Sequence, residues 1–343
     1  MIKQITLDDR VEWSDYIRRA AQYDCYHTWH YHSLETTGHP VLLVSEVKDD
    51  FIAVPLVKRK IEGTEYFDLT SVYGFTGPIS NKKVESVEDC MIRHFTEDML
   101  NYFDDEKIVT VFSRLHPFYD QSRLISPMGG LHDNGKTIFI DLTCAIEDQI
   151  MKYQPSMRSK IKKLREVYGL TFQEERGEAA AQKFKELYLE SMTRINASES
   201  YYFSDNYFKT FAATDEYDAR FVMIYDKDVL VCSSIVMLTN GIMQAHLIGV
   251  KSDYVKLSPG KLMVDELCRL ARENNINYYN LGGGVGFRED NVYQWKRCFS
   301  DRTHDFKTWR FIANSTIYEK LVQEKNLSAH ESIDFFPLYR YNQ

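Results

Sequence analysis

The sequence has no long apolar run and no regular cysteine spacing, and these absences narrow the classes of protein that it can encode. The first residues, MIKQITLDDRVEW, contain no apolar stretch of signal-peptide length. No apolar segment approaches the ~20 residues needed to cross a bilayer. None of the six cysteines form a C-x-x-C pair, which argues against a zinc knuckle or a disulfide framework. We therefore expect a soluble cytoplasmic protein with reduced cysteines and no membrane insertion.

The sequence also has fewer basic residues than acidic ones, 42 against 50. The formal net charge of −8 gives no overall attraction to nucleic acid or to an anionic membrane, so DNA is not an expected partner. Any polyanion must be held by a local basic patch. With 343 residues, of which 44% are hydrophobic, the chain is too long for one core and can fill two. We therefore expect two folded domains.

The order of the predicted elements is the same in the two halves of the chain. Residues 41–57 and 220–238 each resemble two apolar strands joined by a Lys-Asp turn. Each hairpin is followed by a strand, a helix and a strand. In the first half these are the strand at 65–72, the helix at 85–103 and the strand KIVTVFSRL. In the second half they are the strand IMQAHLIGV, the helix at 260–274 and the strand INYYNLG. This order predicts a duplicated α/β unit. The alternative is a chance match of two ordinary hairpins.

A basic helical segment lies between the two halves. A helix begins in residues 147–153, Pro155 interrupts it, and a second helix follows. Arg158 and Lys162 share one face of that second helix. We place the domain boundary so that the domains are 1–145 and 146–343, and expect the two cations close to the interdomain cleft, where they would contact phosphate. The alternative is an ordinary solvated helix face.

Three consecutive glycines occur in LGGGVGFREDNVYQWKRCFS, residues 281–300. Gly282 and Gly284 fit the first two positions of G-x-G-x-x-G, but Phe287 stands at the third, which disfavours a dinucleotide loop. The stretch follows a predicted strand, where glycines allow close approach of a ligand or another chain. A simple mobile turn is the alternative.

A lysine flanked by aromatic residues follows this turn. Lys296 and Arg297 lie between Trp295 and Phe299. A partly desolvated lysine at such a position can offer a fixed cation to a phosphate or to a developing oxyanion. The alternative is an amphipathic helical turn with the aromatic residues buried and the cations solvated.

YYNLGGG followed by WKRCFS resembles the signature of the Fem-type aminoacyltransferases. Further segments similar to that family follow in the same order: SVYGFTGPI (71–79), FSRLHP (112–117), SMRSKIKKLREVYGL (156–170), SYYFSDNYFKTF (200–211) and LSPGKLMVDELC (257–268). The resemblance implies an α/β fold of two tandem GNAT-like domains with mixed sheets. It also implies an acyltransferase that moves an aminoacyl group from tRNA to an amine in peptidoglycan cross-bridges.

The sequence departs from this family in two places. No heptad run occurs between 170 and 260, so no coiled-coil arm is expected. The early segment YHTWHYHSLETT (26–37) lacks the basic residue typical of bridge-forming members and is similar to GNAT-like acyltransferases found beside polysaccharide genes. We therefore expect the acceptor to be a peptidoglycan or polysaccharide precursor that carries a phosphate and a primary amine.

The donor has two possible identities. Ordinary GNAT enzymes bind the pyrophosphate of CoA at (Gln/Arg)-x-x-Gly-x-(Gly/Ala), and only Gly260 of that motif remains in YVKLSPGKLM. We therefore expect a charged tRNA as the donor co-substrate and no resident cofactor. The alternatives are an acyl-CoA-dependent amino-sugar N-acyltransferase and a non-catalytic module that binds a precursor.

The expected site residues follow from these segments. Lys296 is expected to stabilise an oxyanion or a phosphate, and His246 is either the proton acceptor for the attacking amine or a buried structural histidine. His27 and His30 are spaced for a metal, but no carboxylate-rich motif accompanies them, so we expect no metal. The expected substrate-binding residues are Tyr73, Gly74, Gly77, Arg114, His116, Arg158, Lys162, Tyr202, Gly282, Gly283, His27 and His30.

Overall fold

The computed structural model describes residues 1–211, 213–327 and 333–341, which form two compact units. Unit 1 contains Met1–Asn134 and the described part of Asp305–Gln343, and unit 2 contains Gly135–His304. This division differs from the halves 1–145 and 146–343 expected from the sequence. The reason is that the last strand and helix of the chain pack in unit 1, far in sequence from its other elements.

Unit 1 is built on a mixed sheet. Its strands are β1 (Lys3–Thr6), β2 (His39–Val47), β3 (Asp50–Lys60), β4 (Phe67–Thr70), β6 (Ile108–Arg114) and β13 (Thr303–Ile312), the last from Asp305 onwards. They are arranged in that order, with β5 (Ile79–Ser80) paired to β3. β4 and β6 are parallel, whereas the other neighbours are antiparallel.

The helices of unit 1 cover this sheet. They are α1 (Arg10–Arg19), α2 (Trp29–Ser33), α3 (Asp89–Asp105), α4 (Ser122–Ile125) and α11 (Ser315–Glu324). α3 links the two parallel strands, and Phe95, Met99 and Phe103 recur every four residues along it. This spacing gives α3 one apolar face, which is buried in the core of unit 1.

Unit 2 repeats the same pattern. Its strands are β7 (Leu131–Asp141, from Gly135 onwards), β8 (Thr171–Glu175), β9 (Asp218–Asp226), β10 (Val229–Thr239), β11 (Ile242–Val250) and β12 (Tyr278–Gly282). The order in the sheet is β7-β12-β11-β10-β9-β8. Here β11 and β12 are parallel and the remaining pairs are antiparallel. The duplicated α/β unit predicted from the sequence is therefore confirmed.

Each sheet ends in a strand from a different part of the chain. β7 follows β6 in sequence but pairs with β12, and β13 follows β12 but pairs with β6. The two repeats thus exchange their last strands. This exchange explains why a single cut in the sequence does not separate the two units.

Helices cover both faces of the sheet in unit 2. They are α5 (Ile146–Lys152), α6 (Pro155–Glu166), α7 (Gly177–Arg194), α8 (Asp205–Thr210), α9 (Gly260–Glu273) and α10 (Asn291–Arg297). α6 packs against α9, and α7 packs on β11 at Gly249, where a Cβ would lie 2.9 Å from the backbone of Tyr188. Within the described ranges no coiled-coil arm occurs, and no helix is long and apolar enough to span a bilayer.

Candidate functional site

The parallel strands of unit 2 pair over only part of their length. Ile242–Gln244 of β11 align with Tyr278–Asn280 of β12, whereas β11 continues to Val250 and β12 ends at Gly282. The pairing therefore stops at Gln244 and Asn280. Beyond that point no strand among the described residues pairs with this edge of β11.

β11 carries a bulge at the same level. Leu247 pairs with Ile235 and Ala245 pairs with Val236, so His246 is the extra residue. Bulges re-aim side chains and are common beside active sites. On the exposed side of the bulge, Ile248 keeps 40% of its surface accessible, which offers an apolar contact to a ligand.

The glycine turn after β12 is held at both ends by side chains. Gly282 has a φ of +73°, and its N–H donates to Asn280 Oδ1 at 3.0 Å. Asp290 caps α10 by accepting from the N–H of Tyr293, and its other oxygen accepts from the N–H of Val285. The turn is therefore ordered by specific hydrogen bonds, which disfavours the alternative of a simple mobile turn.

Lys296 reaches back from α10 to this turn. Its Nζ donates to the carbonyl oxygen of Gly283 at 2.6 Å, and the residue is half-buried. Burial lowers the pKa of Lys296 from 10.5 to about 8, and the nearby Asp290 carboxylate offsets part of that shift. The amine is therefore a cation at pH 7 that loses its proton about one pH unit higher.

The two aromatic residues that flank Lys296 in sequence contact each other. Phe299 is buried, and Trp295 meets it edge-on with ring centroids 5.1 Å apart. Trp295 also lies against the start of α9, since its Cζ2 is 3.7 Å from the position of a Cβ on Gly260. Trp295 thus contacts both Phe299 and the start of α9.

The sequence from α5 to the end of α10 matches a known family. Residues 151–297 match the model of the acetyltransferase (GNAT) domain. Residues 151–297 therefore form a GNAT-type acetyltransferase domain, and the protein is an acyltransferase. The matched segment includes both parallel strands, the glycine turn and Lys296, so the geometry above lies inside the recognised domain.

Several solved structures have a fold similar to that of this acyltransferase. A crystal structure of FemX matches with a TM-score of 0.68 and 11% identity, over 93% of this chain and 99% of that chain. A conserved protein of unknown function from Bacteroides thetaiotaomicron VPI-5482 matches with a TM-score of 0.59 and 13% identity, over 91% and 99%. At these identities the likeness shows the fold, which is the tandem GNAT fold of the Fem type. No curated protein matches the sequence.

His246 lies in a buried aromatic environment within the acyltransferase. Its Nε2 is hydrogen-bonded to the hydroxyl of Tyr207, and its ring stacks on Phe211 with centroids 5.0 Å apart. Burial lowers the pKa of His246 from 6.5 to about 3, so the ring is neutral at physiological pH and a weak proton acceptor. These contacts fit the structural alternative, and a role in proton transfer stays a prediction.

The loop 71–79 of unit 1 contains three predicted site residues. Gly74 has a φ of +132°, and a Cβ there would lie 2.3 Å from the ring of Tyr26. A Cβ on Gly77 would lie 2.3 Å from Gln121 Oε1. Because glycine has no side chain, Tyr26 and Gln121 can pack closely against Gly74 and Gly77. Tyr73 is 43% exposed and accessible to a ligand.

The predicted histidines of unit 1 lie inside its core. His27 and Asp24 are completely buried, and His116 Nε2 is 2.8 Å from Asp24 Oδ2. The N–H of Asp24 donates to His27 Nδ1 at 3.0 Å, and His30 is also buried. These imidazoles therefore lie inside unit 1 and do not line its surface, and their predicted contact with a substrate stays a prediction. No group of metal-binding side chains occurs in the described ranges.

Three further predicted residues lie on the surface or near it. Lys162 is exposed and 3.8 Å from Glu166, and Tyr202 is 43% exposed. Arg114 is half-buried, with its guanidinium 5.2 Å from the ring centre of Phe112. Each is accessible to a charged or aromatic ligand.

Arg158 lies on α6, and the residue before that helix is hydrogen-bonded to the residue after α10. It lies one turn after Gln154, whose N–H donates to the carbonyl of Cys298 at 2.9 Å. Among the predicted residues, Lys296 thus bonds to Gly283 directly, whereas the Nη1 of Arg158 lies 2.8 Å from Met151 Sδ.

Sequence reasoning missed the side chains that shape this site. Asn280 and Asp290 accept hydrogen bonds from the glycine turn, and Gln244 accepts one from Asn280. Two local patterns could have indicated them. Asn280 stands two residues before a glycine, as in a turn stabilised by its own side chain, and Asp290 stands where a helix is capped.

Proposed function

We propose that this acyltransferase moves an aminoacyl group from aminoacyl-tRNA to a primary amine on a cell-envelope precursor, of peptidoglycan or polysaccharide. The observation that carries the proposal is Lys296 held against Gly283 where β11 and β12 cease to pair. The structural likeness to FemX and the resemblance described above support the same class of reaction.

The proposed chemistry is aminolysis of an ester. The neutral amine of the acceptor attacks the carbonyl carbon, a C–N bond forms, and the bond between that carbon and the ribose oxygen breaks. The leaving oxygen takes a proton that comes from the amine through water or a substrate group. Orientation of the two substrates can lower such a barrier by about 7–11 kcal/mol. Lys296 supplies a cation to the oxygen on which negative charge develops.

The start of α9 supports a donor other than acyl-CoA. Helix N-termini bind pyrophosphate through free backbone N–H groups. Here Pro259 has no N–H, the N–H of Lys261 donates to the carbonyl of Ser258 at 3.1 Å, and Trp295 lies against Gly260. Few donors therefore remain for a pyrophosphate at this helix.

The remaining roles are assigned by charge and accessibility. We propose that Arg158 and Lys162 contact phosphate of the donor or acceptor, since Arg165 on the same helix is engaged by Asp265 and Glu266. We propose that Tyr73 and Tyr202 contact the acceptor through their exposed rings. Substrates of this kind are made in the cytoplasm, which we propose as the location of the enzyme.

A second candidate is an acyl-CoA-dependent amino-sugar N-acyltransferase. The description of the matched family as an acetyltransferase favours it. It differs from the first candidate in the donor and in the acyl group that is transferred, although both reactions acylate an amine.

Mass spectrometry of the product tests the two candidates. Purified protein receives a charged-tRNA pool or acetyl-CoA, each with amino sugars and muropeptide precursors. We expect an aminoacyl mass gain that is lost in Lys296→Met and kept in Lys320→Met, an exposed lysine of α11. An acetyl gain with acetyl-CoA alone supports the second candidate, and no gain with either donor contradicts both.

A further inference from the structure

Two buried amide side chains join the parallel strands where their pairing ends. Asn280 Nδ2 donates to Gln244 Oε1 at 2.8 Å, and each residue is 1% exposed. Gln244 and Asn280 are also the last aligned residues of β11 and β12. The side-chain bond therefore fixes the point beyond which the strands no longer pair.

The same asparagine holds the start of the glycine turn. Its Oδ1 accepts from the N–H of Gly282 at 3.0 Å, while its amide nitrogen is engaged by Gln244. Gly282 then takes a φ of +73°, and the next carbonyl, that of Gly283, accepts the hydrogen bond of Lys296 Nζ. A chain of three hydrogen bonds thus runs from Gln244 to Lys296.

A polar pair is costly to bury unless its hydrogen bonds are satisfied. Here the amide of Asn280 is bonded through both its nitrogen and its oxygen, and such a satisfied buried network makes the local structure more rigid. The bulge between Asn280 and Gly282, opposite Ile138 and Phe139 of β7, adds a second irregularity at the same place. Both features change the direction of the chain just before the carbonyl that holds Lys296.

We propose that Asn280, braced by Gln244, is a positioning residue that sets the place of Lys296 through the Gly282–Gly283 turn. The part of this inference that concerns catalysis rests on the proposed function, since Lys296 is the cation of that reaction. The part that concerns the geometry of Lys296 does not require any particular substrate.

Competitive labelling of lysine amines tests the geometric part without a substrate. The protein is treated with a limiting amine-acylating reagent between pH 7 and pH 11, and mass spectrometry follows the peptide that carries Lys296. We expect Asn280→Ala to loosen the turn, admit water and move the apparent pKa of Lys296 towards 10.5. Labelling at pH 8 then falls about fivefold for a shift of one unit. Asn280→Asp keeps the acceptor for the N–H of Gly282 but loses the donor to Gln244 and adds a buried carboxylate, so its labelling at pH 8 should also fall.

Ser234→Ala is the matched control. Its hydroxyl is buried on β10 and donates to the carbonyl of Leu247 at 2.7 Å, so the variant removes a buried hydrogen bond from the same sheet without touching the turn. Equal labelling of Lys296 in Asn280→Ala and the wild type would overturn the proposal, as would an equal shift in Ser234→Ala. If Asn280→Ala does not fold, Gln244→Leu is labelled instead, with the same expected shift.

Steady-state transfer separates this inference from the proposed function. We expect Asn280→Ala to lower kcat with KM unchanged, because substrate contacts remain while the cation is misplaced. A labelling shift in a protein that transfers no acyl group would contradict the proposed function and leave the positioning role supported. Acyl transfer by the wild type, with no labelling shift in Asn280→Ala, would support the proposed function and contradict the positioning role.

Discussion

Lys296 holds a cation in a half-buried place where an uncharged side chain would be more stable. Its pKa in the folded protein, about 8, lies below the ordinary 10.5, so the unfolded chain binds this proton more tightly. The resulting penalty on folding is complete below pH 8 and disappears as the pH rises towards 10.5. We therefore expect Lys296→Met to raise the free energy of unfolding at pH 7 by about 1–2 kcal/mol while it abolishes transfer.

Urea denaturation at pH 7 measures this effect. Lys162→Met is the control, because Lys162 is exposed and its replacement should change the free energy of unfolding by less than ~0.5 kcal/mol. A loss of stability in Lys296→Met would show that the lysine is structural and would contradict its assignment as a cation held for chemistry.

The buried histidines of unit 1 make an acid-sensitive core. His27 and His32 are fully buried, and burial lowers their pKa values to about 3 and about 4 from the ordinary 6.5. Because the unfolded chain takes up these protons first, stability is complete above pH 6.5 and falls as the pH drops towards 4. We expect a loss of about 2 kcal/mol per histidine at pH 4.5, and a smaller loss in His32→Phe.

Urea midpoints at pH 7.5 and pH 4.5 measure this dependence. His39→Gln serves as the control, since His39 is exposed at the start of β2 and should leave the difference unchanged. The same difference in His32→Phe and the wild type would exclude His32 as a source of the acid sensitivity.

The glycine turn is an element in which two glycines are required for different reasons. A Cβ on Gly284 would lie 2.0 Å from the carbonyl oxygen of Arg288 and 2.3 Å from Asp290 Oδ1. Gly286 has a φ of +60° but open space around it. We therefore expect Gly286→Ala to cost about 1 kcal/mol of stability and little activity, whereas Gly284→Ala displaces the turn and lowers kcat at least about tenfold. Parallel kcat and denaturation measurements on both variants check this order, and equal kcat values would contradict it.

The C-terminal segment is held to β4 by a buried ion cluster. Asp68 is completely buried and accepts from Arg59 Nε at 2.8 Å, Arg340 Nε at 2.7 Å and the hydroxyl of Tyr339 at 3.1 Å. Removing one cation leaves a buried carboxylate poorly compensated. We expect Arg340→Met to lower the free energy of unfolding by about 2–3 kcal/mol, measured by urea denaturation.

A surface ion pair in the same region is the control for this cluster. Lys320 and Glu324 form an exposed i, i+4 pair in α11 at 4.0 Å. Lys320→Met should cost no more than about 0.5 kcal/mol. An effect of Arg340→Met as small as that of the control would mean that the segment is held by its apolar contacts.

At the scale of the whole molecule, the repeated elements could be predicted because their causes are local. The hairpins predicted at 41–57 and 220–238 are β2–β3 and β9–β10, and the helices predicted at 85–103 and 260–274 are α3 and α9. Apolar alternation, turn residues and helical spacing all lie within a few residues of one another in these segments. The predicted interruption at Pro155 is also where α5 ends and α6 follows.

The exchanged strands could not be predicted, because their pairing is not local. Nothing in the sequence near β7 or β13 shows which of two equivalent edges each strand joins, since both edges belong to similar sheets. The site divides in the same way. A lysine between aromatic residues was visible, whereas the chain from Gln244 through Asn280 to Gly283 depends on strands brought together by folding.

The most direct test of the whole account is the pH dependence of acyl transfer in the wild type relative to Lys296→Arg. Both proteins use the same acceptor, so the titration of its amine cancels in the ratio of their single-turnover rates. Arginine stays charged throughout, whereas Lys296 loses its proton near pH 8. The account predicts a ratio that is constant below pH 7 and falls as the pH rises through 8. A ratio that is constant or rises across that range would contradict Lys296 as the cation of the transfer site.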